Sequence, residues 1–149
     1  MRMRKSNTYI PKSEDITPKW HIIDATGQTV GRLASRISQT LQGKDAPIYT
    51  PHLVTGDYVI VLNAARIKVT GRKLTQKLYY RHSGHTGNLK TTLLRDMLAN
   101  YPERVVRLAV KGMLPKNKLG RNMLKRLKVY PSDVHPHEIQ TTTVQEEGR

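Results

Sequence analysis

Asp57-Tyr58-Val59-Ile60-Val61-Leu62-Asn63 is the stretch that most restricts how this chain folds. An unbroken apolar run lacks the in–out alternation of a half-exposed strand, so it reads as a central strand covered on both faces. A second apolar run, Trp20-His21-Ile22-Ile23-Asp24, precedes it and reads as another buried strand. Between the two, Val30, Leu33, Ala34, Ile37 and Leu41 recur with helical spacing, with Thr29 as the expected N-cap and Gly43 as the C-terminal stop. Strand, helix and strand in that order predict a right-handed βαβ unit with a parallel pair. Residues 44–56, with Pro47 and Pro51, form a connection.

The rest of the chain is expected to add smaller pieces. Ile67-Lys68-Val69-Thr70 predicts a short third strand before Gly71, residues 72–77 a helical turn, and residues 78–82 an extended or irregular segment. Residues 83–88, with two glycines, must be a loop. The second half reads as mainly helical. Thr91 or Thr92 caps a helix with Leu93, Leu94, Met97 and Leu98 as its buried stripe, ended before Tyr101-Pro102. Pro102 and Glu103 suit the first turn of the next helix. Its apolar face is Val105, Val106, Ala109, Val110 and Met113, its outer face Arg104, Arg107 and Lys111, and Gly112 and Pro115 mark its break. A basic helix over residues 117–127 follows. At about 100° per residue, Lys118, Arg121, Lys125 and Lys128 fall on one side of it, and Leu119, Met123, Leu124 and Leu127 on the other. Gly120 lies in the apolar arc, where another backbone can approach closely. A short strand at residues 128–130 comes next. The expected organisation is a basic N-terminal arm (1–19), one α/β domain (20–138) and a flexible C-terminal tail (139–149).

Charge then narrows the function. The chain has 149 residues, 26 Lys and Arg against 11 Asp and Glu, and a net charge of +15, far more than solubility requires. Such self-repulsion is tolerable when a partner supplies the counter-charge, and nucleic acid is the commonest such partner. No apolar run approaches the roughly 20 residues of a membrane span, and the basic start MRMRKSNTY lacks the apolar core of a secretory signal. With no cysteine, disulfides and thiolate metal sites are excluded.

The cations are also clustered. No acid lies between Asp57 and Asp96, a window holding Arg66, Lys68, Arg72, Lys73, Lys77, Arg81, Lys90 and Arg95. None lies between Glu103 and Asp133, where the chain carries Lys111, Lys116, Lys118, Arg121, Lys125, Arg126 and Lys128. Two acid-free windows argue against a merely solvated helix face. Within the first, Tyr79-Tyr80-Arg81-His82-Ser83-Gly84-His85-Thr86-Gly87 mixes rings, cations, hydroxyls and glycines. Rings stack on unpaired bases, Arg forks onto phosphate and glycine lets backbones come close. The expected nucleic-acid contacts are Arg66, Lys68, Arg72, Lys73, Lys77, Tyr80, Arg81, His82, Ser83, His85, Lys111, Lys116, Lys118, Arg121, Lys125, Arg126 and Lys128.

Enzymatic patterns are weak by comparison. Gly27-Gln28-Thr29-Val30-Gly31 joins a strand to a helix but matches neither dinucleotide nor P-loop fingerprint, and helix–strand packing accounts for its glycines. His135-Pro136-His137 with Glu138 has no third spaced ligand and reads as a rigid turn presenting imidazoles. Asp57, Asp96 and Asp133 form no pair with a nucleophile or base. No catalytic site, metal, cofactor or small-molecule substrate is expected.

Several of these segments resemble large-subunit ribosomal protein thirteen of the bacterial or plastid type. The likeness is carried by Thr29-Val30-Gly31-Arg32-Leu33-Ala34-Ser35, Gly56-Asp57, Val69-Thr70-Gly71, Tyr79-Tyr80-Arg81-His82-Ser83-Gly84-His85, Lys111-Gly112-Met113-Leu114-Pro115-Lys116-Asn117, Leu119-Gly120-Arg121 and Leu127-Lys128-Val129-Tyr130. It runs from about residue 7 to residue 138. One departure is Pro131-Ser132, where the family usually has a glycine. The resemblance implies a three-layer α/β/α domain around a short, mainly parallel sheet. It also implies direct binding to large-subunit rRNA beside neighbouring ribosomal proteins, a role in early subunit assembly, and a cytoplasmic or plastid-stromal ribosome.

The two-faced basic helix yields a test. Arg121→Glu combined with Lys125→Glu should weaken RNA binding while leaving the thermal midpoint nearly unchanged. Leu124→Ala should do the opposite, costing about 2–5 kcal/mol if that leucine is fully buried. Filter binding and thermal melts read the two effects, and charge reversals that unfold the protein would refute the division of faces.

Overall fold

Residues 11–137 are described by the computed structural model. Most of the expected N-terminal arm, Glu138 and the expected tail lie outside them. A 3-10 turn at Ser13–Asp15 leads into β1 (Trp20–Asp24). Then come α1 (Val30–Gln42), β2 (Tyr58–Leu62), a 3-10 turn at Ala64–Arg66, and α2 (Lys73–Gln76). A hairpin of β3 (Leu78–His82) and β4 (Leu89–Leu93) follows. The chain continues through α3 (Leu94–Asn100), α4 (Pro102–Met113), α5 (Lys118–Lys125) and β5 (Leu127–Val129).

The fold is a single α/β domain. Its sheet runs β1-β2-β5, all parallel, and β3-β4 form a separate antiparallel pair. The apolar run that opened the analysis is the middle strand, and Val59, Ile60 and Val61 are fully buried. Ile23, Val59, Val61 and Leu127 pack with Leu33, Ala34, Ile37 and Leu41 of α1, Val106 and Val110 of α4, and Met123 of α5. A smaller cluster joins Leu94 and Met97 of α3 to Val105 of α4, with Val30, Val69 and Tyr79 at its edge.

One backbone junction ties these elements together. Gly43 ends α1 in the left-handed conformation (φ 73°), and its N–H reaches the Gln39 and Thr40 carbonyls, as expected for a C-terminal stop. Gly56, just before β2, lies so close to the last turn of α1 that an added methyl group would overlap the Leu41 carbonyl. The Thr55 hydroxyl donates to Gln42 O, and Asp57 N–H to Thr40 O. Asp57 then reaches toward β1: its carboxylate accepts from Lys19 N–H at 2.9 Å and lies 2.8 Å from His21 Nε2.

Several local expectations change. Residues 67–70 form no strand; Lys68 makes only an isolated parallel bridge with Thr29. Thr29 occupies the N-cap position of α1, but its hydroxyl makes no capping bond. Thr91 and Thr92 do not cap a helix. They sit in β4 opposite Tyr80 and Tyr79, where β-branched side chains pack well against aromatics, and α3 starts at Leu94. Gly112 lies inside α4, and Met113 is 42% exposed instead of buried. Leu127 belongs to β5, not to the basic helix, because pairing with Val59 overrides the helical period, while Lys128 lies in the strand expected to follow that helix. Helix–strand packing does not explain the glycines at the start of α1 either. Gly27 is needed for its φ of +69°, while a methyl group on Gly31 would touch nothing. The Gly120 expectation holds, since a methyl group there would overlap the Pro115 carbonyl.

Asp24 closes β1 by a set of bonds converging on Oδ1: from Asn63 Nδ2 at 3.0 Å, Thr26 N–H at 3.0 Å and the Thr26 hydroxyl at 2.7 Å. These donors, Asn63 first and with help from the Arg66 charge, hold its carboxyl below the usual pKa of 3.8. A depressed pKa stabilises the fold above the unfolded value and is lost as pH falls through the folded one. Asp24→Asn should therefore lower the thermal midpoint at neutral pH. The gap to the parent should close in melts run well below pH 3.8; a gap that persists there would assign the effect to shape and not to charge.

Candidate nucleic-acid interface

The hairpin and the α2 turn before it are the most exposed part of the described chain. Residues 71–92 are exposed except for Tyr79, which packs against the α3–α4 cluster, and a two-stranded pair is at best marginally stable alone. The two faces of the hairpin differ. Register and side-chain alternation put Leu78, Tyr80, His82, Leu89, Thr91 and Leu93 on one face, and Tyr79, Arg81, Lys90 and Thr92 on the other. Tyr80 is 64% and Leu89 55% exposed, so the first face shows a ring and aliphatic carbon to solvent. On the second, Arg81 and Lys90 stand directly opposite each other. Like charges at a cross-strand pair repel, and an anion between them would remove the repulsion.

The loop 83–88 is shaped by Gly84 (φ 98°) and Gly87 (φ 75°). Gly84 N–H donates to His82 Nδ1 at 3.0 Å, so in the neutral ring the proton sits on Nε2 and is available to an acceptor. Ser83 and His85 are exposed beside it. At the base of the arm, Lys77 Nζ lies 5.3 Å from the centre of the Tyr79 ring. Burial pushes the Tyr79 hydroxyl above its usual pKa of 10.0, so Tyr79 is neutral at physiological pH.

The second cluster is built on α5. Asn117 caps it through a 2.8 Å bond from Gly120 N–H to its Oδ1, which settles the helix start and hence the direction of each lysine. Lys118, Arg121 and Lys125 are exposed at intervals of three and four residues; Met123 is buried and Leu119 and Leu124 half-buried. Because Leu124 is only half-buried, its truncation should cost less than a fully buried leucine, and Met123 takes the anchoring role. Lys111 at the end of α4 and Lys116 in the turn share a cavity of about 230 Å³ with Arg121, floored by Leu114, Pro115 and Leu124.

Other predicted residues are brought in from the sheet side. Lys68, Lys73 and Lys77 line one cavity with the C-terminal end of α4. Arg66 is exposed near Asp24, whose pKa it helps depress. Lys128 sits half-buried on β5, in line with Ile60 and away from the helical core. Arg107, assigned to the outer face of α4 but left out of the expected contacts, lines a shallow hollow with Lys125 and Lys128. Its place was legible only as an outer helical position; that it joins these two lysines depends on the long-range packing of α4 against β5.

Arg126 is different from its neighbours. It is half-buried, donates through a short bond to the Gly56 carbonyl, and its guanidinium lies 5.2 Å from the centre of the Tyr58 ring. It therefore serves the junction beside α1 before any ligand. His135 and His137 also turn inward: His137 N–H donates to His135 Nδ1, and both rings tilt against Tyr130, with His137 against Trp20 as well. Among the described residues no group of three or more His, Asp or Glu is arranged to hold a metal ion, and no helix is long and apolar enough to cross a membrane.

Comparison with known proteins places this geometry in context. The family model for ribosomal protein L13 matches residues 18–136. Large ribosomal subunit protein uL13 of Thermotoga petrophila is 56% identical over 133 residues, covering 89% of each chain. The protein of the same name from Maridesulfovibrio salexigens is 53% identical over 139 residues, 93% of this chain and 98% of its own. That of Cyanothece sp. is 51% identical over 139 residues, 93% of both.

The contrast between adjacent cations gives a direct test. Arg126→Ala should lower stability by about 1–3 kcal/mol through the lost charged hydrogen bond and ring contact. Lys125→Ala, one residue away and exposed, should leave the thermal midpoint within a degree or so. Equal effects of the two would show that Arg126 is not part of the junction.

Proposed function

The chain belongs to the ribosomal protein L13 family, and from that premise we propose that it is a non-catalytic structural constituent of the large ribosomal subunit that binds large-subunit rRNA directly. The observation that carries the reading is the repelling Arg81–Lys90 pair on a hairpin whose residues, apart from Tyr79 and Leu93, are exposed. An element of this kind gains order and loses repulsion when a polyanion fills its cationic face. Lysines and arginines of the hairpin, of α5 and of the turn before it contact phosphates and set orientation. Tyr80, His82, Ser83 and His85 meet splayed bases and 2′-hydroxyls, which distinguish RNA from DNA.

The family supports a working place on the ribosome, in the cytoplasm or in a plastid stroma, beside other large-subunit proteins. A role in early assembly follows the same line. A protein whose arm is completed by RNA, and whose net charge of +15 is neutralised there, stabilises the RNA fold that completes it by the same free energy. The exposed Leu78–Tyr80–Leu89 side of the hairpin is then available to a neighbouring protein or to base faces.

Titrating the full chain against large-subunit rRNA at a series of salt concentrations tests this. Log affinity should fall steeply with log salt, by about 0.7–0.9 per neutralised phosphate. Arg81→Ala with Lys90→Ala should reduce that slope by about 1.5. A slope worth only one or two ion pairs, or equal affinity for duplex DNA, would overturn the proposal.

A further inference from the structure

Gly31, in the first turn of α1, and Gly112, near the end of α4, are glycines without a reason inside the protein. Neither has a positive φ, and a methyl group on either would meet no atom within 4 Å. Alanine is the better helix former at such positions, so neither backbone conformation nor packing selects glycine. Both nevertheless line the same cavity, of about 420 Å³, from two different helices. Its floor is aliphatic, with the Tyr79 ring at one side, and its rim carries Lys68 from the segment before α2 and Lys73 and Lys77 from the two ends of α2; no carboxylate lines it. An apolar floor with bare backbone on two sides suits a flat, weakly polar group in close approach, and the three ammonium groups suit the anions attached to it.

We infer that this cavity takes one unpaired nucleotide of large-subunit rRNA. Its base or ribose lies over the Gly31 and Gly112 backbones beside Tyr79, and its flanking phosphates lie on Lys68, Lys73 and Lys77. The inference rests on the rRNA-binding reading above and makes it specific. A base removed from its stack gains apolar and ring contact here, while phosphates gain the lysines, which is how single-stranded RNA is commonly held. Glycine at the two floor positions keeps the wall low enough for the nucleotide to sit against the main chain.

The signs of two measurements separate this from a structural role. Gly31→Ala, Gly112→Ala and the double variant of the full chain are compared with the parent in thermal melts and in binding to large-subunit rRNA. The thermal midpoint should be unchanged or raised, as for glycine replaced where alanine fits, while the double variant should lose about tenfold in affinity. Lys73→Gln with Lys77→Gln should lower the salt slope without lowering the midpoint. Ribonuclease and chemical probing of the complex should show one unpaired nucleotide protected by the parent and exposed in the double variant. Unchanged affinity with a raised midpoint overturns the inference and leaves the rRNA-binding reading intact. A lowered midpoint overturns it by giving the glycines a folding role. If the parent itself does not bind the rRNA, both readings fall together.

Discussion

The closeness of Gly56 to the last turn of α1 is the contact on which the rest of the structure depends. It brings the end of the first helix against the start of the central strand, with no room for a side chain between them. Thr55 and Asp57 fasten the two backbones on either side of it, and Asp57 extends the connection to Lys19 and His21 of the β1 segment. From the opposite direction Arg126 reaches the Gly56 carbonyl and lies over Tyr58. A few residues thus hold β1, α1, β2 and the α5–β5 corner in register. The core cluster of Leu41, Val59, Val61 and Leu127 fills the space that this frame encloses.

Around that frame the charges are arranged with little regard for the stability of the isolated protein. Cations stand opposite each other on the hairpin, along one face of α5 and around two cavities that no acid lines, while Asp96 shares a hollow with the hairpin pair. The acids that remain serve local geometry: Asp24 gathers the donors that close β1, and Asp57 holds the β1–β2 lead-in. Repulsion is left unresolved where a ligand can resolve it. Hydrophobic burial near the sheet must therefore carry the fold, and it is concentrated there: Val59, Ile60, Val61, Ile37 and Leu41 are fully buried, while almost nothing on the hairpin is.

What could be read from residue order alone follows how local each signal is. Tyr58–Leu62 and Trp20–Asp24 were legible because continuous apolar runs have few alternatives, and Gly43 because a helix end asks for that residue there. Thr91 and Thr92 misled because threonine suits both a helix cap and a strand, and their strand partners Tyr80 and Tyr79 lie across the hairpin. Leu127 fits a helical period equally well; only its pairing with Val59 makes it a strand residue. Among the expected contact residues most cations are exposed as anticipated. Arg126 and Lys128 are half-buried instead, Lys128 because it lies in β5 and Arg126 because it reaches Gly56, a partner that nothing nearby in sequence reveals. Gly31 was attributed to packing because nearby residues cannot show that the space above it is empty.

The order of strands in the sheet has a consequence for how the chain becomes a protein. The central strand ends at Leu62, and the strand that occupies its second edge begins only at Leu127. During synthesis the β1-α1-β2 unit emerges first, with one side of its middle strand still unpaired, and all of the hairpin and four helices must follow before that side is closed. Closure over so long an intervening segment is entropically costly and slow. It also delivers α4 and α5 to their final positions in the same event, since β5 is joined directly to α5 through Arg126. The cationic surface is thus assembled last, by the step that completes the sheet, so a nascent chain does not present it in finished form until nearly all of its domain has been made.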